Sequence, residues 1–120
     1  MFTVNTYQFP NTFTKFPAVI DVQPEPKLEA LLANLTSDTP WGERQIAAKK
    51  LGYMRNPEAL PGLLTALPTD PFWMVRCAII QALEMIGDPG AIPTLQKVAK
   101  NDSFQIVRAY AEKAIERLLP

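Results

Sequence analysis

The sequence predicts an all-α solenoid of about two and a half helix pairs behind an extended N-terminal arm. Three observations carry this expectation. The chain repeats without a gap from Asp38 to Asp70 and again to Asp102, each repeat reads as two apolar stripes at helical spacing, and prolines crowd the stretch before the repeats. A unit that cannot bury its apolar faces alone stacks on its neighbours, which is the logic of a solenoid.

The repeat is dense in matches. DTPWGERQIAAKKLGYMRNPEALPGLL from Asp38 lies over DPFWMVRCAIIQALEMIGDPGAIPTLQ from Asp70. Asp38/Asp70, Trp41/Trp73, Arg44/Arg76, Leu51/Leu83, Pro57/Pro89, Ala59/Ala91, Pro61/Pro93 and Leu63/Leu95 coincide. A further step reaches DSFQIVRAYAEKAIERL, with Asp102, Phe104 and Arg108 in register.

Within the second unit, Trp73, Ile79, Ile80, Leu83 and Ile86 form the stripe of a first helix. Asp70 or Pro71 is expected to start it, as a cap acceptor or a residue tolerated in the first turn. Gly87 supplies the left-handed residue that often ends a helix. Asp88 and Pro89 restart the chain, and Ala91, Ile92, Leu95, Val98 and Ala99 make the second stripe. The first unit repeats this with Trp41 to Met54, then Asn56-Pro57 and Leu60, Leu63, Leu64 and Leu67. Pro61 and Pro93 fall near the starts of the second helices, where a missing N–H costs least.

Half-units flank the two repeats. Lys27 to Leu35 reads as a lone second helix and Ser103 to Leu119 as a lone first helix, the latter with Phe104, Val107, Ala111, Ile115 and Leu118 as its stripe. The total is about six helices, with Leu51, Leu63, Ile79, Leu83, Leu95 and Ile115 in one core. The boundary falls between an arm, residues 1–26, and a repeat domain, residues 27–120. Pro10, Pro17, Pro24 and Pro26 argue against a long helix in the arm. Its aromatics are not the composition of a solvated tail. Phe9, Phe13 and Phe16 are therefore expected to anchor it, either as a lid over Leu28, Leu31, Leu32 and Leu35 or as a docking element.

Composition narrows the function classes. Lys plus Arg and Asp plus Glu are both 12, so nothing in the net charge favours nucleic acid or an anionic membrane surface. There is no histidine and a single cysteine, Cys77. Zinc sites of the Cys/His kinds and Ser–His or Cys–His nucleophile pairs therefore cannot be assembled within the chain. The five glycines are scattered rather than gathered in a phosphate loop. No signal-peptide pattern opens the sequence, and no apolar run approaches the roughly 20 residues that cross a bilayer. The expectation is a cytoplasmic, non-catalytic protein with no cofactor, no metal, no nucleic acid and no membrane insertion.

Two sets of residues are candidates for more than core packing. Asp38/Arg44, Asp70/Arg76 and Asp102/Arg108 recur at one spacing, and arginine's planar fork suits carboxylates and carbonyls held at fixed geometry. They are read as a structural ladder between repeats, against the alternative of a charged row gripping a ligand. Trp41, Phe72, Trp73 and Met74 are read as sealing neighbouring repeats or as an aromatic edge for a partner, since consecutive Phe72-Trp73-Met74 cannot all point inward from one helix. Cys77, next to core positions, is read as a small buried hydrophobe.

The pattern D-x-x-W-x-x-R, an alanine- and leucine-rich helix and then G-D-P-x-A-I-P-x-L resembles the phycobilisome-lyase class of HEAT-like repeats over residues 38–118. The resemblance implies a HEAT-like α-solenoid in which an Asp–Arg ladder joins the repeats. It implies another protein as partner, with the chain serving as an adaptor, an assembly factor or a small subunit of a larger complex. A second implication is an accessory subunit of a phycobilin lyase, or a phycobilisome-handling factor, in a cyanobacterium. Self-association through the C-terminal half-repeat is a further expectation, because a stack ending in a half-unit leaves an apolar face to cover.

Overall fold

The computed structural model describes residues 27–36 and 38–120, and the arm with Phe9, Phe13 and Phe16 lies outside them. The described residues form six α-helices and no strand. They are α1 (Leu28–Ala33), α2 (Trp41–Met54), α3 (Leu60–Thr69), α4 (Trp73–Ile86), α5 (Ile92–Asn101) and α6 (Gln105–Leu118). Short 3-10 turns, Pro57–Ala59 and Pro89–Ala91, lead into α3 and α5.

The punctuation between helices follows from local chemistry. Asn56 and Asp88 each accept a hydrogen bond from the N–H two residues on, Glu58 at 2.9 Å and Gly90 at 2.8 Å. The proline after each has no N–H to leave unsatisfied in the first turn. The first helices of the two whole units end in a left-handed residue, Gly87 at φ 80° after α4 and, at the equivalent position after α2, Arg55 at φ 52°. The guanidinium of Arg55 reaches the carbonyl of Met85 at 2.8 Å, so that turn is tied across to α4.

Helix starts differ from the sequence expectation. Phe72, not Asp70 or Pro71, occupies the cap position before α4, and Phe104 does so before α6. The carboxylate of Asp70 instead accepts the N–H of Phe72 at 2.9 Å, leaving the rest of its hydrogen-bonding capacity for a more distant partner.

Packing is by layers. First helices stack on one another, α2 along α4 and α4 along α6, while each second helix packs on the first helix of the next unit. Leu51, Leu63, Leu67, Ile79, Ile80, Leu83 and Leu95 are fully buried along this seam, with Leu31 of α1 buried at the position equivalent to Leu63 and Leu95. At the α2–α4 contact the backbones approach closely: a Cβ on Gly52 would lie 2.9 Å from Cα of Ala82. Glycine there lets the helices approach at a point where any side chain would push them apart.

Several residues placed in the stripes by spacing are not fully inside the core, among them Leu60, Leu64, Ile92 and Ala99. Ile115 is half-buried against the cluster, as are Trp73 and Ile86. Phe104, read as the first residue of the α6 stripe, is 45% exposed because it precedes the helix and its ring turns toward the preceding unit. Val107, Ala111 and Leu118 of that stripe are buried.

Leu83→Ala removes a side chain with no solvent exposure at the centre of this seam. Urea unfolding is expected to show a loss of about 2–5 kcal/mol, the range for truncating a buried leucine.

Candidate interaction surface and the arginine–aspartate ladder

The turn before each first helix sets up the ladder. Arg44 on α2 donates through Nε to Oδ2 of Asp70 at 2.7 Å and through Nη2 to Oδ1 at 3.1 Å. One unit on, Arg76 on α4 makes the same fork to Asp102, at 2.7 and 3.0 Å. The remaining nitrogen of each guanidinium turns back to its own unit: Nη1 of Arg76 donates to the carbonyl of Asp70 at 2.9 Å, and Nη1 of Arg108 to that of Asp102 at 2.6 Å. Each aspartate thus takes the arginine of the unit before it on its carboxylate and offers its backbone carbonyl to the arginine of its own unit.

The spacing seen in the sequence joins Asp70 to Arg76 and Asp102 to Arg108 through backbone oxygen. The side-chain pairs run between units instead. The first unit departs from the pattern. Arg44 donates to the carbonyl of Thr39 rather than to that of Asp38, and Asp38 is exposed. The cause is legible: position 40 is proline, so the N–H that Phe72 and Phe104 give to Asp70 and Asp102 does not exist there.

Arg44, Asp70 and Arg76 are buried. Removing such charges from water is costly, and the cost is offset only where geometry is good and every polar atom is satisfied. Here each fork is bidentate and each aspartate also accepts a backbone N–H. At Asp102, burial works against the charged form. The bonds from Arg76 and the Phe104 N–H, with the charges of Arg76 and Arg108, outweigh it and hold the carboxyl below its usual range.

The same turns place the aromatics. Phe72, held by its N–H to Asp70, lays its ring against Trp41 of the preceding unit with centroids 4.5 Å apart. Phe104 stacks on Trp73 at 6.1 Å, and the guanidinium of Arg76 lies over the Phe104 ring at 5.7 Å. The four rings form a row along the edge of the stack beside the ladder. Trp41 is 44% exposed, Phe72 and Trp73 are half-buried, and Met74 is half-buried beside them. Reading the sequence missed Phe104 as a member of this row. Its register with Phe72 was the available signal, but its apolar character had assigned it to the core stripe.

Cys77 is buried on α4, and its thiol is pushed up to about 11, mainly by that burial, with Arg76 pulling the other way. A thiol so placed holds little thiolate at neutral pH, so it is a poor nucleophile or attachment point. A hollow of about 510 Å³ lies across α2 and α4, lined by Lys49, Tyr53, Arg55, Gln81, Met85 and Arg117 among others. Among the described residues no three His, Cys, Asp or Glu side chains converge as metal ligands, and no helix is long and apolar enough to cross a membrane.

Arg76→Ala leaves the Asp102 carboxylate and the Asp70 carbonyl without their partner. Thermal and urea unfolding should show a loss of about 3–5 kcal/mol, as for breaking a buried ion pair from one side. Arg76→Lys is expected to recover little of it, because an ammonium cannot fork to a carboxylate and reach a carbonyl at once.

The family model for HEAT repeats matches residues 28–116, which takes in α1 to α5 and all but the last two residues of α6. Neither the curated proteins nor the solved structures gave a significant match. With the matched span covering most of the chain, and with helix pairs stacked through a repeating Arg–Asp contact, the chain belongs to the HEAT repeat family.

Proposed function

We propose that this chain is a non-catalytic protein-interaction module, an adaptor, assembly factor or small subunit of a larger complex, that docks its partner on the aromatic row. The observation that carries the reading is the exposure of Trp41 and Phe104 at the two ends of a row whose middle, Phe72 and Trp73, is packed. Aromatic side chains presented on a rigid support lose little entropy on binding and dominate interface energetics. HEAT repeats commonly mediate protein–protein contacts, which supports the same conclusion. The ladder, on this reading, is the support and not the docking element: the guanidiniums of Arg44 and Arg76 are spent within the stack. A non-enzymatic role accords with a sequence that has no histidine and one buried cysteine. A cytoplasmic setting, with no nucleic acid and no membrane insertion, belongs to the same proposal.

A second reading, an accessory subunit of a phycobilin lyase or a phycobilisome-handling factor, draws on the hollow across α2 and α4. Lys49 and Arg55 stand around an opening that also shows Tyr53 and Met85, while Arg117, also in its lining, is paired with Glu84. The Lys49 and Arg55 cations suit a flat apolar ligand with acidic side groups. Mixing the protein with free bilin and recording its absorbance tests it, and an unchanged spectrum counts against it.

For the first reading the test is affinity capture from the native source with the wild type, Trp41→Ser and Phe104→Ser compared. Both changes fall on exposed rings, so the fold should survive them. A protein retained by the wild type should be lost by about tenfold or more with either variant, the scale of one interface hot spot. Equal recovery by all three would overturn the aromatic row as the docking surface.

A further inference from the structure

We propose that this chain associates head to tail, with α6 of one copy seated on α2 of the next. The ladder supplies the first argument. Arg44 and Arg76 each grip the aspartate of the following unit, and Arg108 is the next rung. It donates through Nη1 to the Asp102 carbonyl just as Arg76 does to that of Asp70, but among the described residues its Nε and Nη2 meet no carboxylate. At the other end Asp38, in register with Asp70 and Asp102, is exposed and meets no guanidinium among the described residues. The position in register with Arg44 and Arg76 ahead of it is Thr12, so the repeat pattern supplies no arginine for it. One end of the stack presents an open arginine fork and the other an exposed aspartate, which lacks the N–H that orients Asp70 and Asp102 and so is free to turn its carboxylate to a guanidinium.

The helix faces supply the second argument. Where α2 meets α4, Gly52 faces Ala82 and Met85. The residues of α2 in register with Ala82 and Met85 are Lys50 and Tyr53, both exposed, with Ile46 one turn earlier also exposed. The residues of α6 in register with Ala48 and Gly52 are Glu112 and Glu116, both exposed. The outer face of α6 is therefore acidic at the points where the outer face of α2 carries a lysine. An acid at this register already bonds a cation across a first-helix contact inside the chain: Glu84, equivalent to Gly52 and Glu116, pairs with Arg117.

Seating α6 on α2 of a second copy sets Arg108 against Asp38 and Glu112 and Glu116 against Lys50, while Ile46 and Tyr53 lose exposed apolar surface. The occupant is a second copy because both halves of the match are on this one chain. The two surfaces differ, so the contact is head-to-tail and grows into rods or rings rather than stopping at a symmetric dimer. It does not involve Trp41 and stands or falls separately from the aromatic docking row.

The experiment is sedimentation velocity on the full chain across a concentration series at low and high salt. Mass above one chain should grow with concentration and shrink with salt, as for a contact steered by opposed charges. Arg108→Asp and Asp38→Arg should each weaken association by about tenfold or more, because like charges then meet. An equimolar mixture of the two should restore it, since acid again faces base at every contact. Glu116→Lys with Lys50→Glu repeats the test at exposed side chains whose change leaves the ladder intact. A wild type that remains a single chain at every concentration would overturn the proposal. So would variants of both pairs that associate like the wild type, or mixtures of both pairs that stay as weak as their components.

Discussion

A bidentate fork from Arg44 to Asp70 joins the two whole units, and its repeat from Arg76 to Asp102 joins the second unit to the C-terminal half-unit. Its geometry constrains nearly everything nearby. To take the fork, the aspartate must sit just ahead of a first helix with its carboxylate directed back along the stack. It achieves this by accepting the N–H of the residue two positions on. That residue then becomes the helix cap and its ring is thrown toward the preceding unit. One local turn therefore fixes the charge pair, the helix start and the position of an aromatic side chain.

The aromatic row is a consequence of the ladder rather than an independent feature. Phe72 reaches Trp41, and Phe104 reaches Trp73, only because the turns carrying them are held by their aspartates. A rigid support of this kind is what an interaction surface needs, because side chains already ordered in the free protein give up little on binding. The burial of Arg76 between Asp70 and Asp102 also makes a ligand-gripping role for these charges costly: pulling a guanidinium out to bind something else would strand two acceptors in the interior.

The fold was legible in the sequence because repetition made each signal appear twice. Leu51 with Leu83, and Leu63 with Leu95, define stripes that fall fully inside the core, and Gly87 ends its helix in the left-handed conformation its residue type suggests. What the sequence hid was the direction of side chains at helix ends. Asp70 looks like a cap by residue type, yet its carboxylate is shared between a local N–H and Arg44, which is 26 residues away in the chain. Phe104 looks like core by hydropathy, yet it precedes the helix, where the period of 3.6 residues does not apply. Pairing across units cannot be read from spacing within a unit, so the ladder residues were identifiable while their partners were not. Asp38 shows how one proline can alter a repeated motif, by deleting the single N–H that orients the other two aspartates.

A double-mutant cycle on Arg44 and Asp70 tests most directly whether the fork holds successive units together. Arg44→Met and Asp70→Asn serve for it, since asparagine keeps an acceptor for the Phe72 N–H. Unfolding free energies of the wild type, both single variants and the double variant give the coupling. A structural ladder predicts a favourable coupling of about 1–3 kcal/mol. Free energies that add to within about 0.5 kcal/mol would show that the two side chains stabilise the fold independently, and the fork would then not be what couples the units.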